Sequence, residues 1–87
     1  KAEASMYLEL KLDTTVRHID IHPKVSLPGG ITLSVDFIVW RKSGPEAIEV
    51  KGYETQDFKT KRKLFNQFHP LAPLQVLKKT RAGWESI

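Results

Sequence analysis

The sequence predicts an α/β domain whose elements run α-β-β-β-α-β, with a central four-stranded mixed sheet flanked by helices. Three observations carry that prediction. Segments near the middle of the chain alternate apolar and polar residues with the period of half-buried strands. After Gly52 the spacing becomes helical over a stretch long enough to cross between parallel strands, which a tight turn cannot do. The chain has 87 residues, 40% hydrophobic and 28% charged, which makes one ordinary globular domain over residues 1–87.

Residues 1–12 pose a conflict. Ala2, Ala4, Met6, Leu8, Leu10 and Leu12 alternate as in a strand, yet Ala, Glu, Lys, Leu and Met are strong helix formers and β-branched residues are absent. Glu3, Met6, Tyr7 and Leu10 also share one helical face, so a helix is expected, broken by Asp13-Thr14-Thr15. Residues 16–27 alternate loosely and close at Pro28-Gly29-Gly30, which reads as a strand and a turn, with Pro23 at an edge or bulge. Residues 31–40 are the strongest strand, with Leu33, Val35, Phe37 and Val39 on one face. Arg41 to Pro45 turn the chain into a third strand over residues 46–52, completing a hairpin.

The second helix places Phe58, Leu64, Phe65 and Phe68 on one arc and Lys59, Arg62, Lys63 and Asn66 on the other, with Thr55 as N-cap. His69-Pro70 ends it, and residues 74–78 form a last short strand before a tail carrying Trp84. Trp40 and Trp84 are expected to pack, although Trp84 in a basic tail could also stack on a base.

Composition narrows the function classes. Zero cysteines exclude a disulfide scaffold and a thiolate zinc site. No run of eighteen apolar residues and no signal-peptide pattern is present, so no membrane association is expected. A chain beginning at Lys1 is expected to be a fragment or to lack a disordered beginning. The net charge of +4 is unevenly spread. Residues 1–53 carry seven basic and seven acidic side chains, and residues 54–87 carry seven against three, so the whole excess is C-terminal. Such a patch fits either a nucleic-acid partner or a solvated helix face.

Chemistry enters through polar residues in strand positions. In the third strand Glu49 and Lys51 point the same way, about 7 Å apart at two strand rises. If Trp40 faces Pro45 in the hairpin, Asp36 lies opposite Glu49; slipped by two, it lies opposite Lys51. Either register gathers the three charges. Two carboxylates on adjacent strands resist ionising together without a cation, and a hard divalent ion takes one or two carboxylates, waters and phosphate oxygens. A lysine beside it can orient or deprotonate water, or stabilise charge on phosphoryl oxygens. The bland counterpart is a cross-strand ion pair on a solvent-facing strand.

The pattern Asp36, twelve residues, Glu49, one residue, Lys51, on a hairpin after a Glu-bearing helix, resembles the PD-(D/E)XK nuclease superfamily and within it small phage-encoded endonucleases. The resemblance covers Lys1-Ala2-Glu3, Ile21-His22-Pro23-Lys24, Val35-Asp36-Phe37, Ile48-Glu49-Val50-Lys51-Gly52, Thr55 and the basic helix. It implies a restriction-endonuclease-like core and a magnesium-dependent deoxyribonuclease, with manganese able to substitute. It also implies that Asp36, Glu49 and the Val50 carbonyl hold the metal, that Lys51 is the catalytic lysine, and that Glu3 is an auxiliary acid. Val35 stands where the motif has proline, and His22 where glutamine is frequent. His22, Tyr53 and Gln56 are candidate auxiliaries; Lys59, Arg62, Lys63, Lys78 and Lys79 are candidate DNA contacts. A bacterial or phage-infected cytoplasm is the implied setting, and for a domain this small cutting both strands is expected to need two copies, as in a homodimer, or two binding events. The alternative class is a non-catalytic nucleic-acid-binding domain on the same fold; a third is a module that docks an acidic protein.

Overall fold

The structure is a computed structural model describing residues 2–87; Lys1, expected to open the first helix, lies outside the described residues. The elements are α1 (Ala2–Leu12), β1 (Val16–Ile21), β2 (Lys24–Leu27), β3 (Ile31–Ser34), β4 (Phe37–Arg41), β5 (Gly44–Val50), α2 (Gln56–Phe68), β6 (Leu74–Thr80) and β7 (Gly83–Ser86). The α/β class and both helices are as expected. The main sheet has five strands rather than four, in the order β1-β4-β5-β6-β7, and β2 with β3 form a separate two-stranded ribbon. It is mixed: β5 and β6 are parallel, and the other neighbours are antiparallel. The parallel pair is joined through α2, the crossover that the helical segment was expected to supply.

The difference in strand count has a local cause. Each of the two long strands expected over residues 16–27 and 31–40 is interrupted, and the interruptions face each other. His22 N–H donates to the Asp36 carbonyl at 2.9 Å and Val35 N–H to the Pro23 carbonyl at 3.1 Å, so the ribbon continues through the break while bending. Pro23 has no N–H to give a regular ladder, and His22 adopts a positive φ of 53°, a region costly for most side chains but more accessible to His. The bend reverses the inward face. Leu33 and Val35 join one core, and Phe37 and Val39 join the other, so these four do not share the single face expected of them.

Two cores lie on opposite sides of the sheet. On one side α1 presents Met6 and Leu10 to Phe37, Val39 and Ile48, with Tyr7 and Trp84 at the margin. On the other, Phe58 and Phe65 of α2 pack with Ala47, Leu74 and Val76 and with Leu27 and Leu33 of the ribbon. Burying each such aromatic stabilises the fold by roughly 1.5–3 kcal/mol. The expected arc of α2 is only partly buried, because Phe68 is 56% exposed at the helix end. Thr55 caps α2, its hydroxyl oxygen accepting from Phe58 N–H at 3.2 Å. The expected tail is instead strand β7, where the Trp84 indole N–H donates to Glu9 at 2.7 Å under the Lys79 ammonium. Trp84 is therefore a packing residue here. No described helix is long and apolar enough to cross a membrane.

Candidate metal and phosphodiester centre

Three elements end at the same place, and each ends there for a local reason. The β4–β5 hairpin adopts the register with Trp40 opposite Pro45 and Phe37 opposite Ile48, the first of the two expected. Asp36, just before β4, consequently meets the end of β5. Its backbone N–H donates to Glu49 Oε1 at 3.0 Å, and its own Oδ2 accepts from Val50 N–H at 2.8 Å. A carboxylate thus replaces the backbone ladder at the break. Lys51 Nζ lies 3.1 Å from Glu49 Oε2 and 4.4 Å from the centre of the Phe58 ring, so the first turn of α2 walls the lysine on its other side.

α1 brings Glu3 to the same spot, and the bend brings His22. Ligand-capable atoms of Glu3, His22 and Asp36 all lie within 4.8 Å of one another, and His22 Nε2 is hydrogen-bonded to Glu3 Oε2. These three converge beside Glu49 and Val50, which the resemblance grouped with Asp36. Glu49 is buried, 6% exposed, its Oε1 accepting from the Asp36 amide and its Oε2 paired with Lys51, and each oxygen keeps a further lone pair. Val50 takes part through its N–H.

The electrostatics suit a cation. Burial pushes the Asp36 carboxyl above the ordinary aspartate value; the Val50 N–H opposes this and the neighbouring Glu3 carboxylate adds to it. Burial likewise raises Glu49, with Asp36 contributing in the same direction and Lys51 against it. Two raised carboxyls at one end of a sheet are what removal of water and crowding of like charge produce when no ion compensates them. Two carboxylates and one imidazole, from three separate elements and open to solvent on the His22 side, are a donor set that a divalent cation fits.

A cavity of about 240 Å³ adjoins the centre, walled by Glu3, Val50, Lys51, Gly52, Lys78 and Lys79. Of the expected DNA contacts, the fold thus brings Lys78 and Lys79 beside the carboxylates. Lys59 and Lys63 lie exposed on α2. Arg62 does not join them, since its Nη1 is held by Glu54 Oε2 at 3.1 Å and by the Ile87 carbonyl at 2.9 Å. Asn66, placed with these basic residues by helical spacing, instead accepts the Leu74 N–H at 2.8 Å. Tyr53, 76% exposed, and Gln56, the exposed first residue of α2, have no described contact with the carboxylates. His18 lies apart from the centre, paired with Asp20 at 2.8 Å.

The sequence singled out every residue of this centre but not the grouping of Glu3 with His22. Their separation of nineteen residues carries no periodic signal, and the Pro23 that sets the bend was the only hint. Compared with protein-family models, curated proteins and solved structures, the chain matches none.

Proposed function

We propose that the chain is a divalent-cation-dependent endonuclease of the PD-(D/E)XK type, with a restriction-endonuclease-like core, that hydrolyses DNA phosphodiester bonds. One observation supports this above the others: Asp36, Glu49 and Lys51 meet on a hairpin end at which Glu3 and His22 add two further donors beside a lysine-walled cavity. A solvent-facing cross-strand ion pair accounts poorly for Glu49, because a carboxylate 6% exposed loses hydration that one lysine and one amide only partly replace.

Glu3, His22 and Asp36 would hold the cation, which supplies Lewis-acid charge to the phosphoryl oxygens. Glu49 positions two groups at once, fixing the Asp36 backbone through Oε1 and the Lys51 ammonium through Oε2. Lys51 orients the attacking water and stabilises charge that builds on the phosphorus oxygens. Phe58 under the ammonium limits its rotation. Lys78 and Lys79 bind the neighbouring phosphates, and Lys59 and Lys63 extend the contact along the backbone without reading bases. One such centre per chain cuts one strand, so cutting both uses two copies or two binding events.

The deciding experiment is cleavage of supercoiled and branched DNA with magnesium, manganese or EDTA, beside Lys51→Ala and Asp36→Ala variants shown to be folded by circular dichroism. Metal-dependent nicking that both substitutions abolish is the expected result. DNA binding indifferent to metal and to both substitutions, with no cleavage, would overturn the nuclease and leave a non-catalytic nucleic-acid-binding domain.

A further inference from the structure

We infer that His22 is a metal ligand that makes this centre select Mn²⁺ over Mg²⁺. The inference rests on the cation-dependent reading above and specifies its ion. Mg²⁺ demands near-octahedral oxygen donors and gives up its waters reluctantly, so an imidazole nitrogen gains it little. Carboxylates suit Mg²⁺, Ca²⁺ and Mn²⁺, whereas imidazole suits transition ions; two carboxylates with one imidazole give Mn²⁺ a nitrogen donor from which Mg²⁺ gains little.

Four features of the molecule place His22 in that role. Its ring nitrogen lies within 4.8 Å of the Glu3 and Asp36 donor atoms, so small side-chain rotations bring all three onto one ion. Its backbone is held by donation of its N–H to the Asp36 carbonyl and sits at a φ of 53°, so the ring is fixed to the same bend as the carboxylate it accompanies. The His22 and Glu3 side chains are 60% and 42% exposed, which leaves the remaining coordination positions to water and to phosphate oxygens. The remaining histidines do not compete for the place. His18 is bound to Asp20, and His69 is packed against Phe65 with a ring-centroid separation of 4.8 Å. His22 Nε2 is hydrogen-bonded to Glu3 Oε2, a contact that an ion held by both residues would replace.

The test uses the whole chain without DNA. Mn²⁺ and Mg²⁺ affinities are measured by titration and competition, and Mn²⁺ ligation by the nitrogen modulation of its electron spin echo, in the wild type, in His22→Gln and in His18→Gln as a control. The expected results are a Mn²⁺ affinity about tenfold or more above that for Mg²⁺ and a clear nitrogen signal. Both are kept in His18→Gln. His22→Gln loses the signal and brings the two affinities to within about threefold while its circular dichroism is unchanged. A wild type without nitrogen modulation, or a His22→Gln variant with an unaltered ratio, would overturn the assignment. The two readings fail separately. Mn²⁺ bound through nitrogen with no DNA cleavage overturns the nuclease and leaves the ion assignment intact, whereas cleavage supported by a site showing no nitrogen coupling does the reverse.

Discussion

Removing the charge of Asp36 should stabilise the metal-free protein and destabilise it relative to wild type once metal is present. Asp36 faces the Glu3 carboxylate within 4.8 Å. Coulomb's law at an effective dielectric near 20 gives roughly 3 kcal/mol of repulsion for two full charges at that separation. Glu3 is 42% exposed and shares its charge with the His22 ring, so screening brings the net to about 1 kcal/mol. Asn at position 36 keeps an oxygen for the Val50 N–H and gains an amide that can donate to Glu3, replacing repulsion by a hydrogen bond. In EDTA, Asp36→Asn should therefore melt about 4–8 °C higher than wild type. With metal at a hundredfold over its dissociation constant the wild type gains about 2.7 kcal/mol by mass action, the variant gains almost none, and the order of the melting temperatures inverts. Differential scanning calorimetry in the two buffers measures both. A variant less stable than wild type in EDTA, or stabilised by metal as much as wild type, would refute the reasoning.

The pH dependence follows from the same carboxyls. Native values raised at Asp36 and Glu49 mean that the folded state binds protons more tightly than the unfolded one. Their contribution is fully present below the unfolded carboxyl value, about pH 4, and is lost as pH rises through the raised native values. Metal-free stability should accordingly show a smaller fall with rising pH in Asp36→Asn than in wild type, read from melts between pH 4 and 7. Lys51→Ala leaves Glu49 buried with one partner, so it should lower the metal-free melting temperature by several degrees and cut cleavage by about 10² to 10³, seen in melts and single-turnover assays. Lys78→Ala and Lys79→Ala should each reduce the salt slope of DNA binding by about 0.9, measured by fluorescence anisotropy at several salt concentrations, with unchanged melting for Lys78→Ala and a small drop for Lys79→Ala, which loses its contact with the Trp84 ring. Arg62→Ala should do the opposite, lowering the melting temperature through loss of its contacts to Glu54 and Ile87 and leaving the salt slope nearly unchanged. Thr55→Ala should cost about 1 kcal/mol of stability by chemical denaturation, since the Phe58 N–H loses its acceptor.

What was legible in the sequence was local. The helix Ala2–Leu12 could be read against its misleading alternation because residue type outweighs pattern when no β-branched side chain supports a strand. Thr55 and the hairpin followed from capping and turn chemistry, which left two registers open; the fold selects the one with Trp40 opposite Pro45, and that register put Asp36 against Glu49. Arg62 misled because helical spacing says which side of α2 a residue occupies and nothing about what the C-terminus brings to that side; the Ile87 carbonyl sits there only once β7 has paired with β6.

The sequence by itself determined the α/β class, the two helices, the β4–β5 hairpin and the identity of every charged group in the centre, because periodicity, propensity and charge act over a few residues. The tertiary structure decided how those groups are shared. It broke two strands at facing positions, since Pro23 cannot donate to a ladder and Asp36 answers Val50 with a side chain instead. Through that bend it turned His22 toward Glu3, leaving Glu49 to hold the Asp36 backbone and Lys51. Contacts between residues nineteen apart depend on where a chain bends and on what packs against the bend, and no local pattern encodes that.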